Sequence, residues 1–200
     1  MKKGRYPKFL LLVYVIFWII LAIKPLDRGV WSLENILVVL FILTLIFTYK
    51  KFRFSNASYT LIFTFMVLHT IGAHYTYAQV PLGFWLKDTF DLTRNHFDRL
   101  IHFSFGLLMA YPVREIFLKL TSTKGKWTYY LPFGLTLAFS SIFEILEWAI
   151  VVAADPNAGI NYLGMQGDIW DAQKDMIFVM FGALITLGIT GIFNKRFKKN

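Results

Sequence analysis

A chain of 200 residues that is 56% hydrophobic and only 16% charged, with a mean hydropathy of +0.53, is too apolar for a soluble domain and belongs in a lipid bilayer. The absence of cysteine excludes disulfides, thiolate catalysis and thiolate metal sites. The formal charge of +9 does not indicate nucleic acid: the basic residues stand between long apolar runs, as cytoplasmic loops do, and no basic stripe with interleaved stacking aromatics lies outside those runs.

In chain order, basic MKKGRYPK precedes an apolar run from Phe9 to Ile23. Lys24, Pro25 and Leu26 stand where a signal peptide would carry a small-residue cleavage site, so the run reads as an uncleaved first span. A loop with Asp27, Arg28 and Gly29 leads to a second span from about Ile36 to Tyr49, with Ser32 to Glu34 as its first turn, closing on Lys50, Lys51 and Arg53. The third runs from about Tyr59 to Tyr77. Pro81 and Gly83 then stop the helix, and Phe84, Trp85 and Phe90 alternate with Lys87, Asp88 and Asp91 as an interfacial segment does.

The fourth span, Asn95 to Leu118, carries Asp98, Arg99 and His102 in its first turns, with Pro112 placed to kink it near its exit. The fifth, from about Tyr129 to Ala153, holds Glu144 and Glu147 in its last third. The Gly-, Asn- and Asp-rich stretch ADPNAGINYLGMQGDIWD reads as a loop, and the sixth span runs from about Ala172 to Phe193. The chain is therefore expected to be all-α: a polytopic bundle of about six transmembrane helices forming one integral membrane domain. Residues 1–54 supply two generic spans, 55–193 a four-span core with the polar motifs, and 194–200 a basic cytoplasmic tail. With both termini cytoplasmic, fifteen of the twenty-one basic residues lie on the inner side, as the positive-inside rule requires.

That orientation brings the ionisable groups of spans three to six to one level, near the extracytoplasmic surface. Each ionised group within a span costs roughly 2.5–3.5 kcal/mol or more unless compensated. Asp98 and His102, four apart, share a helical face. Asp168, Asp171 and Asp175 form a stripe. For Asp168 and Asp171, capping at the positive end of the helix dipole competes with a functional reading, but Asp175 lies a turn too deep for it. Glu144 and Glu147 approach the negative end of their helix and need a proton, a cation such as Arg99, or a metal ion. Carboxylates with imidazoles suit Zn, Mn or Fe.

The expected catalytic groups are thus His102, Asp98, Glu144 and Glu147, and the expected metal ligands His74, His102, Asp98, Glu144, Asp171 and Asp175. Arg99 and Asp168 are expected to serve as a structural ion pair. His69 reads as packing, and Tyr75, Tyr77, Trp85, Trp148, Tyr162 and Trp170 as an aromatic belt. Gly106 and Ala110 offer a strip for close helix contact.

The motifs HYTYAQVPLGFW, NHFDRLIHFSFG, FEILEW and QGDIWDAQKDM, in this order between His74 and Met176, resemble the DUF2238 family of bacterial inner-membrane proteins, the YjdF-like group. The resemblance covers roughly His74 to Gly182 and implies the topology and the location of the site without naming an activity. More remotely, the placement of Asp98, His102, Glu147 and the last aspartates is similar to the VanZ-like membrane proteins, which are linked to glycopeptide-antibiotic resistance; Glu147 stands where that pattern often has glutamine.

The expected function is a membrane enzyme facing the outer leaflet: a metal-dependent hydrolase or transferase acting on a lipid-linked or envelope substrate. One alternative is a non-enzymatic envelope factor that binds a partner or lipid head group. A transporter fits less well, because the polar groups stay near one surface.

Overall fold

The computed structural model describes residues 4–154 and 166–197, with side chains described for 4–153 and 166–194. Among these residues the secondary structure is entirely helical, in agreement with the expected all-α class: α1 (Arg5–Leu21), α2 (Arg28–Thr48), α3 (Asn56–His74), α4 (Pro81–Thr89), α5 (Phe97–Leu120), α6 (Trp127–Ala154) and α7 (Asp171–Phe197). The helices form two compact units, divided between Asp98 and Arg99. The division falls within the first turn of α5, so Asp98 closes the first unit and yet belongs to the continuous helix that carries His102.

The distribution of side chains is that of a membrane protein. Phe47, Ile23, Leu26 and Phe193 are more than half exposed, while Glu34, Ser58, Thr70, Thr136 and Asp175 are almost wholly buried. Apolar surface turned outward has no stable place in water but matches lipid tails, and buried hydroxyls find partners inside the bundle. The helices α2, α6 and α7 are each long and apolar enough to cross a membrane. The other three expected spans are less plain: α1 has only 17 residues, and α3 and α5 are diluted by His69 and His74 and by Asp98, Arg99, His102, Arg114 and Glu115.

Several boundaries differ from the sequence reading for local reasons. Helix α2 begins at Arg28, ahead of the expected first turn at Ser32, because Asp27 caps it by accepting from the Val30 N–H at 3.0 Å. Helix α3 ends at His74 and not at Tyr77, because the chain turns left-handed at Thr76 and Tyr77. Pro81 starts a helix where it was expected to stop one, since proline at the first helical position leaves unmade only a bond that position lacks anyway. The first turn of α5 begins at Phe97, whose N–H donates to Asn95 Oδ1 at 3.0 Å, while Asn95 Nδ2 donates to the Val80 carbonyl at 3.0 Å. Most of the expected loop after α6, with Tyr162, lies outside the described residues.

In the first unit α1 and α2 pack on α3. Ser55 caps α3 through the Ser58 N–H, and Tyr14 on α1 reaches Thr70 on α3 with a hydroxyl contact of 2.9 Å. In the second unit α6 packs against α7, with Ser141 donating to Met176 Sδ at 3.2 Å.

Candidate functional site

The site of the second unit is set by the crossing of α5 and α7. A Cβ on Gly106 would lie 2.0 Å from the Val179 carbonyl oxygen, and one on Gly182 would lie 2.3 Å from the Phe103 carbonyl oxygen. The two backbones therefore touch, which only glycine permits. One turn further along both helices, Ala110 and Ala183 are both fully buried and join Leu187, with Tyr129 and Phe133 of α6 against them. One turn nearer the helix starts than Gly106 and Val179 come His102 and Asp175, and a further turn nearer come Asp98 and Asp171. The repeat of four that lets the helices meet at small residues is thus the repeat that stacks the ionisable groups above them. Gly106 and Ala110 were legible as a contact strip; the answering strip on α7 was not singled out.

At the end of this crossing nearest the start of α7, Asp98, His102 and Asp175 bring one ligand atom each to within 4.8 Å of one another. His102 and Asp175 are buried and Asp98 is half-buried. Helix α6 adds Glu144, whose Oε1 lies 3.4 Å from His102 Nε2, and the Phe143 ring, edge-on to the imidazole at 6.1 Å. Donor atoms around one ion with bonds of about 2.0–2.2 Å are at most about 4.4 Å apart. Asp98, His102 and Asp175 offer two carboxylates and an imidazole, donors of the type that Zn, Mn and Fe take.

Towards the start of α7 an ion-pair network begins. Arg99 donates to Asp168 Oδ2 in a short contact and to Asp171 Oδ1 at 3.4 Å. Lys174 donates to Asp168 Oδ2 at 2.6 Å, and the Trp170 N–H to Asp168 Oδ1 at 3.1 Å. The Lys174 hydrogen bond above all, then the Trp170 N–H and Arg99, hold the Asp168 carboxyl down at about 2, below its ordinary 3.8.

The other expected residues are placed as follows. Glu147 lies three residues beyond Glu144 on α6 and is half-buried. His74 is in the first unit, where its Nδ1 meets the Leu21 carbonyl at 2.7 Å and ties the ends of α1 and α3 together. His69 is buried in the same unit, with Nδ1 at 2.8 Å from the Tyr77 hydroxyl and Nε2 at 3.9 Å from Glu34 Oε2. Tyr77 leaves the expected aromatic belt, being 9% exposed, whereas Trp85, Trp148 and Trp170 are about 60% exposed as a belt requires.

Glu34 and Tyr77 were missed as site residues. Glu34 read as the end of an interfacial first turn, but once α2 begins at Arg28 it lies two turns in and is 3% exposed. Glu34 and Asn35 standing directly ahead of the apolar run from Ile36 to Leu43 were the available signal.

The description "Predicted membrane protein (DUF2238)" matches residues 6–196. Among curated relatives, the inner membrane protein YjdF of Escherichia coli (strain K12) is 36% identical over 177 residues, covering 88% of this chain and 82% of that protein. No solved structure matches this chain. The match spans all seven described helices, the apolar exterior agrees with it, and the localisation is that of an inner-membrane protein; the chain belongs to the DUF2238 family of predicted membrane proteins.

Proposed function

We propose that this protein is a membrane-embedded, metal-dependent hydrolase or transferase acting at the extracytoplasmic face on a lipid-linked or envelope substrate. The reading adopts six spans with both termini cytoplasmic, which puts the outer ends of α5, α6 and α7 on one level. It is carried by the approach of Asp98, His102 and Asp175 to within 4.8 Å. These three would hold a divalent cation such as Zn, Mn or Fe, with Asp171, one turn before Asp175, as a further candidate ligand. Such an ion, when bound, supplies Lewis acidity and a water of lowered pKa. Glu144, in contact with His102, is positioned to take or return a proton, with Glu147 on the next turn as the second candidate. Arg99 and Asp168 orient the outer turns of α5 and α7 and leave the chemistry to the layer beneath.

The test uses purified full-length protein in lipid nanodiscs, loaded with each metal and dialysed. His102→Ala is expected to lower metal affinity by at least about 100-fold, since even residues that only orient ligands cost 10–100-fold when lost. Glu144→Gln is expected to keep the metal and to lower turnover of phosphorylated lipid substrates by roughly 10²–10⁴-fold. Equal metal content in wild type and His102→Ala overturns the reading.

A second reading is favoured by the Arg99, Asp168, Asp171 and Lys174 network, which ties α5 to the start of α7. In it the cluster holds the helices in register for a non-enzymatic membrane factor. It predicts that the same substitutions reduce stability while no substrate is consumed.

A further inference from the structure

The first unit contains a second set of buried titratable groups. Glu34 of α2 and His69 of α3 are 3% and 8% exposed, and the Tyr77 hydroxyl lies between them, 3.1 Å from Glu34 Oε2 and 2.8 Å from His69 Nδ1. The chain bends sharply to put it there. Thr76 and Tyr77 take φ values of 54° and 49°, a region that side-chain-bearing residues avoid and a β-branched threonine avoids most. The Tyr77 N–H donates back to the Gly72 carbonyl at 2.8 Å. The tyrosine ring then lies on Gly72, where a Cβ would come 2.3 Å from its Cε1. A glycine without a side chain and two strained residues thus deliver one hydroxyl to one place. Backbone strain persists where the surrounding structure over-determines it, and such sites are frequently functional.

We propose that Glu34, Tyr77 and His69 form a proton-relay site, in which the Tyr77 hydroxyl carries a proton between the Glu34 carboxyl and the His69 imidazole. In one state Glu34 is protonated and donates to the Tyr77 oxygen, and Tyr77 donates to Nδ1 of a neutral His69. Transfer moves the Glu34 proton onto the Tyr77 oxygen as the Tyr77 proton passes to Nδ1. The result is a carboxylate, an imidazolium protonated on both nitrogens and an unchanged phenol, with no net change in protons. In this second state the charges lie 3.9 Å apart, between His69 Nε2 and Glu34 Oε2.

Helix α1 offers Tyr14, whose hydroxyl is engaged with Thr70, and α2 offers Arg28, stacked on Trp31 at 5.0 Å. The Asp98 carboxylate acts on Glu34 through its charge.

The test is nuclear magnetic resonance on the full chain in nanodiscs, with ¹⁵N-histidine and ¹³C-glutamate labels assigned by His69→Gln and Glu34→Gln. Two groups sharing one relay titrate as a pair, so Glu34 and His69 are expected to show the same two midpoints. Tyr77→Phe keeps the ring and removes the hydroxyl. It is expected to separate the two curves and to shift each by about one to two pH units, the scale of one hydrogen bond to a charged group. Tyr14→Phe, which removes a neighbouring hydroxyl, leaves them in place. Independent titration in the wild type, or curves unmoved by Tyr77→Phe, overturns the proposal. Should Tyr77→Phe not fold, His69→Gln serves as well: Glu34 must then titrate in a single step, and an unchanged two-step curve is equally fatal.

Discussion

In the first unit His69 and Glu34 stand 3.9 Å apart with a tyrosine hydroxyl within hydrogen-bond reach of both. In the second, His102 and Glu144 stand 3.4 Å apart with the Phe143 ring beside the imidazole. The same residue pair meets two different companions. Tyrosine can donate and accept, so the first pair is completed by an internal bridge suited to moving a proton. The second pair is joined by Asp98 and Asp175, which as carboxylates can only accept, and an assembly of acceptors is completed by a proton or a cation. The difference teaches that a membrane-buried histidine beside a glutamate does not define a chemistry; the third group does.

The means of assembly differ too, and that is where the largest effect is expected. Gly106 is pressed against the backbone of α7, and Gly72 against the ring of Tyr77, a side chain. Alanine at Gly106 must push two helices apart, costing about 3 kcal/mol or more and dispersing Asp98, His102 and Asp175. Alanine at Gly72 need only swing the Tyr77 ring aside, at roughly the 1–3 kcal/mol of the buried hydrogen bonds it would break. Thermal unfolding in detergent compares the two. Equal losses would mean that the crossing of α5 and α7 is no more rigid than the turn after α3.

A second experiment separates the two clusters by their ligands. At a divalent metal concentration of about 100 times its dissociation constant, the wild type is expected to gain about 2.7 kcal/mol of stability. Glu34→Gln should gain as much, because its cluster is assigned to protons. Asp175→Asn should gain almost nothing. A metal-dependent shift lost in Glu34→Gln and kept in Asp175→Asn would reverse the assignment of the two sites.

Much of the second unit was legible in the sequence because its signals are local and periodic. Asp98, His102, Gly106 and Ala110 repeat every fourth residue, as do Asp171, Asp175, Val179 and Ala183, and that spacing survives any error in where a helix begins. The Arg99 and Asp168 contact could be guessed as a pair of opposite charges, but the rung that sets Gly106 on Val179 could not, since register between helices is decided by side-chain shape. The first unit was less legible because its site depends on a chain reversal. Tyr77 reaches His69 only through left-handed backbone at Thr76 and Tyr77, and neither residue type announces such a turn. Glu34 was hidden by a start of α2 placed too late, which turned a buried residue into an interfacial one.

The smallest effect concerns the ion-paired rim at the start of α7. Asp168 there receives the Lys174 ammonium, the Trp170 N–H and Arg99. Its folded-state carboxyl is lowered from 3.8 to about 2, so its contribution to stability is complete above pH 3.8 and is lost as the pH falls towards about 2. Lys174→Met removes the largest of the three influences and should raise the Asp168 midpoint, measured by ¹³C-carboxyl titration, part of the way back towards 3.8. It should stop short of that value, because Trp170 and Arg99 remain. Metal binding one layer beneath should be unaffected if the rim only orients α5 and α7. A Lys174→Met protein that loses metal affinity in step with its Asp168 shift would instead join rim and cluster into one electrostatic unit, and Asp168 would then have to be counted among the groups that tune the site.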